Sequence, residues 1–228
     1  RIINVKISGN TTNGEGGGVR SDGNANTEFL NVIISNNYSK GGSRGGGFYQ
    51  QGNSSTLTNV EILNNVSQWG GGISFENVTA TLTNVKIIGN SAVSGGGMSL
   101  IGSSNLSGSK IFIADNTSDR GAGMFFVQSS GVIKDITMAN NIGGALVLDR
   151  SRNEFDRITI SNNKSSNTMY GILQETSDHA FEINNSNIVN YGYGIKNPSM
   201  GYETTAINNY WGDSSGPYHP SQNPSGKG

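Results

Sequence analysis

The chain has no cysteine among its 228 residues, which excludes a disulfide framework and thiol chemistry. Charged residues make up only 14% and the net charge is -1, so the clustered lysine and arginine that phosphate binding needs is missing and nucleic acid is excluded as a partner. No apolar run approaches the roughly 18 residues of a membrane-spanning helix. Only 33% of the residues are hydrophobic, yet valine and isoleucine recur evenly, which indicates a fold that needs little core per residue.

What the chain has in excess is glycine, with 34 residues, and much of it falls in short runs that end in an apolar residue. The apolar residues that follow these runs are Val19, Phe48, Ile73, Met98, Met124, Leu146, Ile172 and Ile195. Seven steps of about 25 residues separate the first from the last. A fixed period of this length is the signature of a repeat architecture.

A second signal keeps the same step, namely an apolar residue three positions before an asparagine. The asparagines are Asn10, Asn37, Asn65, Asn90, Asn116, Asn141 and Asn163. Between the two signals, apolar and polar residues alternate with the period of a strand, as in Val60 and Ile62. Stacked at one corner of successive coils, these asparagines would form a ladder in which each amide bonds the next.

These patterns predict an all-β fold, a right-handed parallel β-helix of about eight coils with about 25 residues each. Three short strands per coil, joined by tight turns, would form a triangular coil and pair with their copies above and below at about 4.8 Å. A narrow interior filled by every second strand residue accounts for the low apolar fraction. An all-β sandwich also alternates, but has no reason to repeat its side chains at one period.

The glycine and asparagine motifs resemble the GGA[ILV] and FxxN repeats of the polymorphic outer membrane proteins and related bacterial β-helix surface proteins. Isoleucine usually replaces the phenylalanine here, and Gly143-Gly144-Ala145-Leu146 is the element that fits closely. The departures favour the broad superfamily of secreted β-helix repeat proteins. The resemblance covers residues 1–197 and implies an extracellular or bacterial cell-surface location.

The C-terminal stretch differs from the repeats. Residues 209–217, NYWGDSSGP, and residues 223–228, NPSGKG, are similar to the tail that follows β-helix repeats in many secreted bacterial proteins. We therefore expect repeats over 1–197, cut mid-repeat from a longer protein with further modules, and a last coil with a capping tail over 198–228. Trp211 and Tyr210 are placed to cover the last coil, and Asp213 is assigned to the cap in preference to a metal or sugar site.

Parallel β-helices include enzymes that act on acidic polysaccharides, so the sequence must be searched for their chemistry. The predicted outward row between the paired strand residues contains one carboxylate, Glu61. One carboxylate supplies neither the oxygen cage of calcium nor the facing acids of glycoside hydrolysis. No catalytic residue, metal site or cofactor is predicted, although calcium stays possible.

The alternative is a polysaccharide lyase or glycoside hydrolase centred on Lys134, Arg150, Arg152 and Arg157, within a charge-dense stretch that is unusual in this chain. Lys110, Asp135 and Arg157 recur at one position of successive coils, so a surface ladder of alternating charge is the favoured interpretation.

The position after each glycine run and its apolar residue predicts a binding face. The outward residues there include Tyr49, Phe125, Val147 and Leu173, which would form an exposed apolar strip that contacts a glycan or protein ligand. The competing interpretation is a turn segment that folds over Phe125, Val147 and Leu173. The sequence thus predicts a non-catalytic extracellular module, acting as an adhesin, a stalk or a carbohydrate-contacting surface, with no membrane insertion of this segment.

Overall fold

The computed structural model of the chain describes residues 1–23, 25–164, 170–176, 179–189, 193–197, 204–216 and 225. These residues form strands and turns and no helix, so none of their elements is a helix fit to cross a membrane. The strands, in chain order, are β1 (Ile2–Ile3), β2 (Lys6–Ser8), β3 (Thr11–Thr12), β4 (Val19–Ser21), β5 (Thr27–Ser35), β6 (Tyr38–Ser39), β7 (Phe48–Gln51), β8 (Ser54–Leu63), β9 (Ile73–Glu76), β10 (Thr79–Ile88), β11 (Met98–Ile101), β12 (Asn105–Ala114), β13 (Met124–Val127), β14 (Ser130–Ala139), β15 (Leu146–Asp149), β16 (Arg152–Asp156), β17 (Thr159–Ser161), β18 (Tyr170–Gln174), β19 (Glu182–Asn184), β20 (Asn187–Val189), β21 (Tyr193–Lys196) and β22 (Thr205–Ile207).

The strands stack in parallel into two main sheets, so that each strand pairs with its copies in the neighbouring coils. The long sheet runs β1-β5-β8-β10-β12-β14-β16-β19-β22 and also contains β2, β17 and β20. The short sheet runs β21-β18-β15-β13-β11-β9-β7-β4, and β3 pairs with β6. The prediction of a right-handed parallel β-helix with about eight coils is confirmed.

Two of the three strands predicted per coil are one long strand in the middle of the solenoid. Thr79–Ile88, for example, pairs along its length with β8 and β12 and bends at Asn84, whose φ is +55°. Asparagine tolerates this left-handed conformation better than other residues with a side chain. The same bend position is held in other coils by Asn31, Asn59, Lys110, Asp135 and Arg157.

The interior is filled by one continuous column of apolar side chains contributed by both sheets. Phe29 and Phe48 meet edge to face across it, with ring centroids 4.8 Å apart. Gly108 interrupts the column, and Ile111 fills the space, since a β-carbon at Gly108 would lie 2.6 Å from its Cδ1. The sparse apolar residues are therefore sufficient because the inward-facing ones meet in one narrow core.

The glycine runs bring neighbouring coils into close contact. A β-carbon on Gly72 would lie 2.6 Å from the carbonyl oxygen of Gly97 in the next coil, closer than a methyl group can approach. Just before these runs, single parallel bridges join Arg44, Trp69, Ser94 and Arg120 in a row. This row borders the outer face of the short sheet and places large side chains beside it.

The last described strand shows that the solenoid continues beyond residue 197, because β22 (Thr205–Ile207) pairs with Glu182–Asn184. The predicted boundary at 198 and the tail residues 217–224 and 226–228 lie outside the described residues.

Candidate functional site

The predicted asparagine positions form a hydrogen-bonded ladder in the structure. From Asn10 to Asn141, each Nδ2 donates to the Oδ1 of the next asparagine at 2.6–3.0 Å. The same Oδ1 also accepts the backbone N–H of the preceding asparagine at 2.8–3.0 Å. Asn37 to Asn163 are buried, so the ladder satisfies backbone groups inside the fold and does not face a ligand.

The predicted exposed strip on the short sheet is wrong for three of its four residues. Tyr49, Phe125 and Val147 are only 2%, 1% and 4% exposed, and Leu173 is half-buried. Alternation identifies which side chains leave the interior, but it does not reveal what covers them outside. For Phe125 the cover comes from the side chains of Trp69 and Arg120 in the bordering row.

Trp69 and Arg120, both from the bordering row, enclose the ring of Phe125. The Trp69 and Phe125 ring centroids are 6.0 Å apart, and the Arg120 guanidinium carbon lies 4.9 Å from the Phe125 centroid. Ser74 and Ser99 precede Phe125 in the same outward-facing row of the short sheet. Both serines are fully buried, with their hydroxyls 3.0 Å apart. These small residues leave room for the larger rings above the sheet.

Tyr49 is held by two charged groups, Arg44 of its own coil and Glu76 of the next coil toward the C-terminus. Its hydroxyl donates to Glu76 Oε2 at 2.8 Å, and the Arg44 guanidinium pairs with the same carboxylate oxygen. Burial raises the pKa of the Tyr49 phenol well above its ordinary value, and the Glu76 carboxylate adds to this increase. Tyr49 thus acts as a neutral hydrogen-bond donor that fixes Glu76.

A cavity of about 270 Å³ opens beside the two rings, and we call it the Trp69 cavity. Besides Trp69 and Phe125 it is lined by Arg44, Arg120, Arg150 and Asp149. Arg150 Nε lies 3.4 Å from Asp149 Oδ1. An aromatic wall with a few charged groups that donate and accept hydrogen bonds is the usual chemistry of a binding cleft.

A second cavity of about 350 Å³ adjoins it, with Arg120 lining both, and we call it the Tyr170 cavity. Val147, Leu173 and Tyr170 line it together with Glu175 and Lys196. Arg120 Nε donates to Glu175 Oε1 at 3.1 Å, and Lys196 Nζ donates to the Tyr170 hydroxyl at 3.0 Å. The two cavities together form the groove, which follows the short sheet along the solenoid axis.

The structure does not bring the four residues of the alternative catalytic site together. Arg150 lines the Trp69 cavity beside the short sheet, whereas Lys134 and Arg152 are exposed on the long sheet. Arg157 lies at the bend of the long strand, where Nε and Nη2 donate to the carboxylate of Asp135 at 2.7 and 3.1 Å. Lys134 lies opposite Asp156, the neighbour of Arg157, so these two residues are close to each other, whereas Arg150 belongs to a cavity beside the other sheet.

No group of three metal-ligating side chains occurs within the described part of the chain.

The C-terminal end of that part is covered in part by Trp211, which packs against the apolar core and approaches Gly194. Tyr210, by contrast, is 51% exposed and covers little. Asp213 Oδ1 accepts hydrogen bonds from the backbone N–H and hydroxyl of Ser215 at 2.8 and 2.7 Å, which gives it a role within the terminal turn.

The sequence analysis did not identify three residues that line the groove, namely Arg44, Trp69 and Arg120. A signal for them exists, because each stands immediately before a glycine run. Their shared repeat position indicates that they occupy one side of the coil, and an arginine, a tryptophan and an arginine there are unusual in so neutral a chain.

Comparison with known proteins identifies the fold family. A family model described as a right handed beta helix region matches residues 46–210, which is more than half of the chain. No curated protein matches the chain, and no solved structure does. The matched segment includes Trp69, Phe125 and Tyr170 and hence the greater part of the groove. The chain therefore belongs to the right-handed β-helix family.

Proposed function

We propose that this chain is a non-catalytic, extracellular β-helix module of a bacterial surface or secreted protein that contacts glycans through the groove. The observation that carries the proposal is the half-buried Trp69 ring, packed on Phe125 at 6.0 Å and facing a cavity with Arg120 and Asp149. An amphipathic ring with one covered side and a wall of polar groups suits a ligand that has both apolar faces and hydroxyls.

Glycans match this chemistry on both counts. The C–H face of a sugar ring packs on an indole, while its hydroxyls accept hydrogen bonds from guanidinium N–H groups and donate to carboxylates. Trp69 and Tyr170 are four coil steps apart, which corresponds to about 19 Å at the spacing of parallel strands. An extended chain of several sugars spans that distance, whereas a single small molecule does not.

The state of the carboxylates favours binding over hydrolysis or elimination. Glu76, Glu175 and Asp149 each lie in an ion pair with an arginine. Glu61, from the outward row of the long sheet, pairs with Lys86 at 2.8 Å. A glycoside hydrolase needs one protonated and one free carboxyl group on opposite sides of the scissile bond. Carboxylates fixed as salt bridges are poorly suited to that exchange of protons.

The test is binding of the 228-residue chain to an array of neutral and acidic glycans. Product absorbance is followed in the same wells, with and without calcium. We expect binding without unsaturated products, and a loss of about tenfold or more in affinity for Trp69→Ala. Trp211→Phe, at the other tryptophan, is the control and should bind like the parent. Product formation would support the lyase alternative. The absence of both glycan binding and product would leave the module as a structural stalk.

A further inference from the structure

The charged groups of the groove are already paired with one another. Arg44 pairs with Glu76 and Arg120 pairs with Glu175, while Arg150 Nε lies 3.4 Å from Asp149. These three pairs are neutral, and Asp119 and Lys196, which also line the Tyr170 cavity, add one charge of each sign. The groove, with Glu76 beside it, therefore carries no net charge to attract an ion of either sign.

An acidic sugar would meet a penalty in this arrangement. Its carboxylate or sulfate would have to displace Glu175 from Arg120, or approach with Glu175 and Asp149 close by, both of which repel it. Asp119 also lines the Tyr170 cavity and adds a further negative charge there. Lys196 is the remaining cation of that cavity, and its Nζ is hydrogen bonded to the Tyr170 hydroxyl at 3.0 Å.

A neutral sugar meets no such penalty. A guanidinium has five N–H donors, and a salt bridge to one carboxylate occupies only part of them. Carboxylate oxygens likewise keep lone pairs that accept a hydroxyl proton while the ion pair stays intact. Hydroxyl groups can therefore join the hydrogen-bond network of Arg120 and Glu175 without breaking it.

Resting on the glycan-binding function proposed above, we infer that the groove selects neutral oligosaccharides and rejects acidic ones. The ligand lies along the solenoid axis, with one sugar face on Trp69 and its hydroxyls between the paired charges. The carboxylates of Glu175 and Asp149 set this specificity, because they discourage an anion while they accept hydrogen bonds from hydroxyls.

The experiment measures the affinities of a neutral hexasaccharide and of a uronic acid hexasaccharide of equal length for the wild-type chain and Glu175→Gln. We expect the wild type to bind the neutral chain at least about tenfold more tightly. Glu175→Gln leaves the Arg120 guanidinium without its carboxylate partner. The ratio of the dissociation constants of the acidic and the neutral chain should therefore fall by about fivefold or more, mainly because the acidic chain binds more tightly. Glu182→Gln, an exposed carboxylate on the long sheet, is the matched control and should keep the wild-type preference.

A salt series on the wild type tests the same inference without any substitution. Binding of the neutral chain should change little between low and high ionic strength, because no net charge is neutralised. Equal or tighter binding of the acidic chain by the wild type would overturn the inference but leave glycan binding intact. An unchanged preference for the neutral chain in Glu175→Gln would likewise overturn the inference and leave glycan binding intact. Failure of both sugars to bind would overturn the proposed function itself.

Discussion

The side-chain oxygen of Asn90 accepts two hydrogen bonds from Asn65, one from its Nδ2 at 3.0 Å and one from its backbone N–H at 2.8 Å. Asn90 also donates to the Ile62 carbonyl at 2.9 Å and is fully buried. Asn90→Ala would leave these groups unpaired, at about 1–3 kcal/mol each. We expect the free energy of unfolding to fall by about 3 kcal/mol in chemical denaturation followed by circular dichroism.

Asn105→Ala provides the matched comparison for that ladder variant. Asn105 donates to the Ser130 hydroxyl at 2.7 Å in an exposed position, where water replaces the lost bond. We expect a change of less than about 0.5 kcal/mol in the free energy of unfolding. Equal losses for the two variants would contradict the stabilising role of the buried ladder.

Gly72→Ala should destabilise the solenoid through a clash between coils. The new methyl group would lie 2.6 Å from the Gly97 carbonyl oxygen and 3.2 Å from Asn90 Cγ, both held by their own coils. Overpacking of this kind costs about 1–3 kcal/mol, and we expect the upper end because the nearest atom is backbone. Gly14→Ala is the control, since its nearest neighbours would be 3.8 Å away, and its melting temperature should match the parent.

The Arg157 guanidinium, hydrogen bonded to Asp135, lowers the pKa of that carboxyl group below its ordinary value. A carboxyl group with a lowered pKa in the folded state adds stability above its unfolded pKa. That contribution is lost as the pH falls through the folded pKa. Arg157→Asn introduces the residue that is most common at this bend in the other coils. In this variant we expect the pKa of Asp135 to rise toward its ordinary value.

Side-chain carboxyl resonances of Asp135, followed by NMR between neutral and acidic pH in both proteins, measure this change. An Asp135 titration midpoint that does not move in Arg157→Asn would show that another group controls the carboxyl.

Trp211→Ala should loosen the C-terminal coil without unfolding the rest of the solenoid. Trp211 packs partly against the core, so its removal exposes the interior beneath the last coil. We expect amide hydrogen exchange over 182–188 to accelerate about tenfold or more, while exchange over 80–114 stays unchanged. Tyr210→Ala removes a side chain that is 51% exposed and should leave both regions as in the parent.

The fold was predictable from the sequence because its physical requirements repeat. Ile62, Ile87 and Ile113 face inward at one step, and Asn65, Asn90 and Asn116 follow each of them at the same distance. A repeated requirement of this kind cannot arise from isolated strands. The merging of two strands at Asn84 was not predictable, because a left-handed residue at a bend looks like a turn although hydrogen bonding continues on both sides of it.

The candidate site was only partly predictable, for a different physical reason. Alternation showed that Phe125 and Val147 point out of the interior, and this is correct, since they line the outer groove. The burial of Phe125 depends on Arg120 of its own coil and on Trp69, which lies two coils away and reaches across the sheet. Contacts between the side chains of different coils depend on the length and direction of each side chain. The repeat period of the sequence does not predict either.

Trp69 is the central contact surface for a glycan in the proposed groove. The measurement is the fluorescence of Trp69 in Trp211→Phe, where it is the remaining tryptophan of the two in the chain, during titration with a neutral hexasaccharide. We predict a saturable change in emission whose midpoint equals the dissociation constant from the array. Emission that stays constant while the array shows saturated binding would place the glycan elsewhere and contradict the proposed groove.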